Sequence, residues 1–309
     1  MNKVIIIGSG PAGLTAGIYA ARAGLEPLLI SGLLPGGLLT QTGKVENYPG
    51  FPEGVDGVML MSQMLEQAAN AGVQIEYDET AAVELSDGGI QRVTTASGTV
   101  FEAEALVIAT GASPKWLGIP AEERFKGHGV SACAVCDGGF YRDMAVAVVG
   151  GGDTALEEAD NLSRTASGVT LIHRRDTFRA SKVMVDRIMA NPKIKILRNT
   201  EVVDIKGENK VEKLVLKDIR DDKLFELPAA ALFVALGHTP ATKLFVPPLA
   251  DSNGFIAVKN PGTETSFAGV FAAGDCSDAH YRQAVTAAAS GCRAALDVEN
   301  YLTSRKAVK

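Results

Sequence analysis

The chain has 309 residues, 46% of them hydrophobic and 21% charged, with a formal net charge of −6. A sequence this apolar excludes disorder, its four cysteines exclude a disulfide-stapled secreted scaffold, and the acidic balance argues against nucleic acid or an anionic membrane as the main partner. The uncharged stretch of residues 27–43 is broken by Pro35 and by Gly32, Gly36 and Gly37, and the apolar run after Lys3 ends at Gly8, so neither a membrane span nor a signal peptide is expected and a cytoplasmic protein of about two domains is.

Residues 4–7 fit a strand of a parallel sheet buried on both faces. They lead into Gly8-Ser9-Gly10-Pro11-Ala12-Gly13, a GxGxxG pattern between a strand and a helix. There Gly8 permits the tight turn, Gly10 lets backbone approach a diphosphate at the positive helix N-terminus, and Gly13 allows close helix packing. The competing reading is a glycine turn without a ligand. The next strand ends in Ile30-Ser31, where an acidic ribose ligand usually stands, so ribose recognition is expected to use the Ser31 hydroxyl and nearby amides. Residues 81–85 and 91–96 read as antiparallel strands, and 105–113 as an apolar strand ending in glycine.

Cys133-Ala134-Val135-Cys136-Asp137 follows. Zinc would need four ligands, and no second CxxC or paired histidine completes a site, only His128 being near. An inert pair is a further alternative. Close thiols can alternate between dithiol and disulfide, with Asp137 exchanging the proton, although Asp137 could equally cap the following turn.

Residues 146–172 then repeat residues 4–30 without a gap at an offset of 142. The turn is now Gly150-Gly151-Gly152-Asp153-Thr154-Ala155, and 153–166 carries helical spacing behind an Asp/Thr cap. This second copy's second strand ends in His173-Arg174-Arg175, with Arg179 one helical turn further; two or three cations in place of the acidic ligand suit a 2′-phosphate, hence NADPH over NADH. The alternative is a solvated basic turn. Residues 213–219 and 224–227 read as antiparallel strands, and 231–239 repeats 105–113 at an offset of 126. Residues 269–275 read as one more strand closing on Gly-Asp, and 281–302 as a long helix.

The fold expected is α/β: two Rossmann-like, three-layer dinucleotide-binding domains, the second inserted into the first. The boundaries are 1–114, 115–242 carrying the CxxC, and 243–309, with crossings near 112–120 and 237–244 whose Pro and Gly content would let one domain swing. Two nucleotide sites and a dithiol define an electron path, because nicotinamide delivers two electrons, a disulfide accepts two, and a flavin can link them. The first copy should therefore hold FAD. No CxxxxC follows the first turn, which excludes the large glutathione-reductase type.

GSGPAG, VENYPG (45–50), ATGASP (109–114), GVSACAVCDG (129–138), GGGDTALEEA (150–159), HRRDTFRA (173–180), GVFAAGDC (269–276) and YRQAVTAAASGCRAAL (281–296) together resemble the low-molecular-weight thioredoxin reductases over nearly the whole chain. The resemblance implies a homodimer in which NADPH reduces FAD, FAD reduces Cys133–Cys136, and the dithiol reduces thioredoxin. It puts Cys136 nearest the flavin, makes Cys133 the attacking thiol and Asp137 the acid. It also places Asp275 on the FAD ribityl, Arg282, Gln283 and Ala284 beside the flavin, and Asn47 on FAD. Ser31, Gly32, Gly36, Gly37, Leu38, Val83, Thr110, Gly111 and Gly274 complete the expected FAD set, and Gly237 joins the NADPH set. Leu38 replaces the family's usual Gln and Gly139 an aromatic, while Cys276 and Cys292 read as buried small hydrophobes and Trp116 as packing. Competing readings are a flavin reductase that serves a peroxiredoxin or another thioredoxin-fold protein, one fed by ferredoxin, and a nucleotide-binding redox sensor without turnover.

Overall fold

The computed structural model describes residues 1–41, 44–245, 248–250, 253–259 and 261–307; Gly43, which closes the uncharged stretch, lies outside them. The chain forms two compact units, one of residues 1–113 with 239–309 and one of residues 114–238. No helix among the described residues is long and apolar enough to cross a membrane.

The first unit is built on a parallel sheet ordered Gln74–Glu76, Leu28–Ile30, Asn2–Ile7 and Val100–Ile108, with Val270–Ala272 also pairing on the last of these. Antiparallel strands Gln91–Thr95 and Thr80–Glu84 continue the sheet beyond Val100–Ile108. Alternation along the strands explains the unbroken apolar runs. Val4, Ile6, Leu29, Ala105 and Val107 pack on one face with the helices Pro11–Arg22, Gly57–Asn70 and Ala284–Ala307, whereas Ile5, Ile7, Leu28, Ile30, Leu106 and Ile108 pack on the other with Val93, Phe245 and Ile256. Ile5 and Ile6 are fully buried on opposite faces, and each such side chain contributes about 1.5–3 kcal/mol relative to exposure. The first and last helices meet at backbone distance: a Cβ on Gly291 would lie 2.0 Å from Ala12 O.

The second unit repeats the plan. Its parallel sheet runs Val130–Ser131, Ala231–Ala235, Ala145–Gly150, Gly168–Ile172, Ile194–Leu197. Val146, Val148, Leu171 and Phe233 face the helix Asp153–Ser163; Ala147, Val149, Leu232 and Val234 face an antiparallel sheet of Thr200–Lys206, Lys213–Asp218 and Leu224–Pro228. Trp116 packs on this second layer, with Lys126 Nζ 4.3 Å from its ring.

Several boundaries differ from the sequence expectation. The helix expected over 153–166 ends at Ser163, and its N-cap is Gly152 without a side-chain bond, so neither Asp153 nor Thr154 caps it. The last helix starts at Ala284 rather than 281, because Asp278 Oδ1 and Oδ2 accept the N–H groups of His280, Tyr281 and Arg282, and Arg282 sits at φ +50°, outside helical space. The strand expected over 269–275 is confined to Val270–Ala272 and passes into a single turn, Gly274–Cys276.

Candidate active site

In the first unit the glycine turn lies between the strand Asn2–Ile7 and the helix Pro11–Arg22. A Cβ on Gly13 would stand 1.9 Å from Gly8 O, whereas one on Gly10 would meet nothing within 4 Å, so the turn is closed on its protein side and open on the other. The helix has proline at its start, no side-chain cap and no acid in its first turn. Its leading amides, Ala12 and Gly13, therefore remain to take an anion, and the open cradle fits a dinucleotide diphosphate.

The serines expected at this turn face inward. Ser9 is 2% exposed; its hydroxyl donates to Ser31 O at 2.7 Å and accepts Gly36 N–H at 3.0 Å, which draws the loop of Gly36, Gly37 and Leu38 to the turn. Ser31 is 3% exposed and its hydroxyl donates to Gly32 O at 3.0 Å. Thr110 and Gly111 follow the strand Val100–Ile108, and Ala109 N–H donates to Ile7 O at 2.8 Å. Gly274 N–H donates to Ser290 Oγ at 2.7 Å, a support from the last helix that sequence reasoning missed. Asn47 Nδ2 donates to Gln283 Oε1 at 3.3 Å, joining two predicted positions 236 residues apart. Val83 packs into the Ile5–Ile108 cluster from the strand Thr80–Glu84. Asp275 accepts no hydrogen bond among the described residues, and burial, reinforced by the Asp278 charge and opposed by Arg282, pushes its carboxyl up to about 6. A desolvated acceptor without a donor fits the hydroxyls of a polyol chain.

In the second unit Cys133 and Cys136 form a disulfide with Cα atoms 5.3 Å apart. Ser131 Oγ accepts Cys133 N–H at 3.0 Å, Cys133 Sγ accepts Cys136 N–H at 3.2 Å, and Glu158 Oε1 accepts Ala134 N–H at 3.4 Å. Neither Ser131 nor Glu158 carried a motif signal strong enough to single it out. Asp137 heads the turn Gly138–Tyr141 without capping it. Burial raises the Asp137 carboxyl above its usual range, partly offset by a Ser131 hydroxyl bond, so the group keeps its proton to higher pH than an ordinary aspartate. Gly139 is exposed next to Phe140, which is 44% exposed. Among the described residues no group of three or more His, Cys, Asp or Glu is placed to hold a metal ion.

The other cysteines differ from each other. Cys276 is fully buried, within 3.4 Å of Ile108 O, and burial pushes its thiol up to about 11, which leaves it inert. Cys292 is only partly buried, contrary to expectation.

The second glycine turn is open at Gly152, whose Cβ would meet nothing within 4 Å, while Ala155 is fully buried beneath it. Thr154 lies in the first turn of the helix, and Gly237, at φ +91°, follows the strand Ala231–Ala235. His173 is 8% exposed, its Nε2 is 3.0 Å from Thr177 O, and a Cβ on Gly151 would lie 2.1 Å from its ring. Burial lowers its pKa, and its ring props the loop beneath Gly151. Arg174, Arg175 and Arg179 are exposed and make no ion pair among the described residues. Arg179 lies on irregular backbone, not on a helix, because the next helix begins only at Lys182. Asp153 Oδ1 accepts Ser181 N–H at 2.8 Å.

A family model described as pyridine nucleotide-disulphide oxidoreductase matches residues 2–291. A thioredoxin reductase of Streptomyces clavuligerus is 50% identical over 306 residues, covering 98% of this chain and 95% of its own, and one of Rickettsia felis is 49% identical, covering 97% and 98%. The crystal structure of thioredoxin reductase from Streptococcus pyogenes superposes with a TM-score of 0.92 at 38% identity, covering 98% of this chain and 99% of that one.

Proposed function

Because the chain belongs to the pyridine nucleotide-disulphide oxidoreductases, we propose that it is an NADPH-dependent thioredoxin-disulfide reductase. The observation that carries the reading is the Cys133–Cys136 disulfide in the same unit as a glycine turn followed by three exposed arginines. FAD belongs in the first unit, where the open side of Gly10, the amides of Ala12 and Gly13 and the donor-poor Asp275 suit its diphosphate and ribityl chain. NADPH belongs in the second, its diphosphate at the Gly150–Gly152 turn and its 2′-phosphate on Arg174, Arg175 and Arg179. Bound flavin supplies the two-electron relay between nicotinamide and disulfide.

In the reduced pair, Cys136 N–H stabilises a thiolate on Cys133. That thiolate attacks one sulfur of the partner's disulfide, and the sulfur that leaves takes the proton held by Asp137. Cys136 then attacks Cys133, passing its thiol proton through the now ionised Asp137 carboxylate to the sulfur that leaves, which restores the Cys133–Cys136 bond and releases the partner as a dithiol, so two electrons leave with two protons. In this reading the protein works as a cytoplasmic homodimer, and the partner is thioredoxin or another thioredoxin-fold protein.

The test couples NADPH oxidation to thioredoxin reduction and repeats it with Cys133→Ser. The variant should still bleach its flavin with NADPH and should fail to reduce the partner. Bleaching in the wild type without reduction of any thioredoxin-fold partner would refute the acceptor; no bleaching would refute the donor.

A further inference from the structure

We propose that Asp153 is a positioning residue for coenzyme selection: its carboxylate latches the arginine-bearing arm, residues 173–181, onto the second glycine turn and does not itself bind the coenzyme. The inference rests on the NADPH reading of that turn. Asp153 is the first residue of the helix Asp153–Ser163, beside the amides that would receive a diphosphate, where a free carboxylate would oppose a like charge. Its Oδ1 accepts instead from Ser181 N–H at 2.8 Å, 28 residues further on, at the foot of the helix Lys182–Ala190.

One more bond and one ring contact run the same way. Arg179 N–H donates to Gly151 O at 2.7 Å. At the root of the arm the His173 ring covers Gly151, and it is held there from within the arm by stacking on Phe178 at 5.2 Å and by its bond to Thr177 O. The arm is thus pinned at three points, none of which engages an arginine head group, and Arg174, Arg175 and Arg179 stay exposed without acid partners among the described residues. A loose arm would have to be ordered each time it met a phosphate; pinning it in advance removes that cost from binding. Only a 2′-phosphate calls on the arm, so the benefit falls on NADPH and much less on NADH.

The experiment uses the flavin-loaded full-length protein and measures calorimetric Kd values for NADP+ and NAD+, together with hydrogen exchange at the Ser181 amide without coenzyme. Asp153→Ala should weaken NADP+ about fivefold to tenfold more than NAD+ and speed exchange at Ser181. Asp153→Asn, which keeps an acceptor oxygen, should restore most of the selectivity. Ser181→Pro removes the donor at a residue whose φ of −59° already suits proline, and it should reproduce Asp153→Ala without adding to it. Equal loss of both dinucleotides in Asp153→Ala and Asp153→Asn would overturn the proposal, because it would place the carboxylate at the shared diphosphate. So would an unchanged ratio in Asp153→Ala when Arg174→Ala with Arg175→Ala lowers it. If the arginine pair leaves the ratio unchanged, the NADPH reading of the arm fails and the selectivity claim with it, while exchange at Ser181 still reports whether the latch exists.

Discussion

Replacing Asp275 with asparagine should make the flavin-free protein more stable and its hold on FAD weaker. Burial moves this carboxyl from 3.8 to about 6. A shift of about 2 units at about 1.4 kcal/mol each is a cost of about 3 kcal/mol once the group is ionised. The folded state binds the proton more tightly than the unfolded state, so the cost is absent below the unfolded value of 3.8, grows as pH rises and is complete above about 6. Asparagine removes the titration, although its amide hydrogens, lacking acceptors, return part of the gain, which leaves about 1–3 kcal/mol. Urea midpoints of the two flavin-free proteins should therefore coincide near pH 4 and separate by pH 7, the variant being the more stable. In FAD titrations the variant should bind about tenfold or more weakly, having lost a charged acceptor for the ribityl hydroxyls. Parallel pH profiles for the two proteins, or a variant less stable at pH 7, would show that Asp275 is not a buried charge waiting for donors.

Asp137→Asn should slow thioredoxin reduction by about 10²-fold while leaving NADPH-driven flavin bleaching intact. Because its pKa is raised, the wild-type rate should fall on the alkaline side as the proton is lost, and that limb should disappear in the variant. Gly10→Ala should leave the thermal stability of the flavin-free protein unchanged, since the new Cβ meets nothing within 4 Å, and should sharply reduce FAD content. Gly13→Ala should instead unfold the unit or lower its midpoint severely, because its Cβ would lie 1.9 Å from Gly8 O; equal stability of the two variants would contradict the division of the turn into closed and open sides.

The repeated fold plan could be read in the sequence because it depends on patterns that survive without coordinates. Ile5 and Ile6 are fully buried on opposite faces, and such a strand can only appear as an unbroken apolar run. The glycine turns were equally visible, since backbone closeness at Gly13 permits no side chain. What escaped was side-chain direction. Nothing in the order Ser9, Ser31, Asp153, His173 tells that all four turn toward the protein, because their partners, such as Ser181 for Asp153, lie at distances along the chain that no local period encodes. The helix starting at Ala284 rather than 281 has the same origin: Asp278 competes for the N–H groups that a helix would have used.

The contact of Gly291 with Ala12 also sets an order of events on the ribosome. Residues 114–238 are one continuous run and hold every strand of their own sheets, so this unit can close as soon as it has emerged. The first unit cannot: its glycine turn is made before residues 114–238, yet the strand Val270–Ala272 and the helix that rests on Ala12 are translated after them. During synthesis the site for the thiol chemistry can therefore be finished while the proposed flavin cradle still lacks a wall, so flavin capture waits for the strand Val270–Ala272 and the helix Ala284–Ala307.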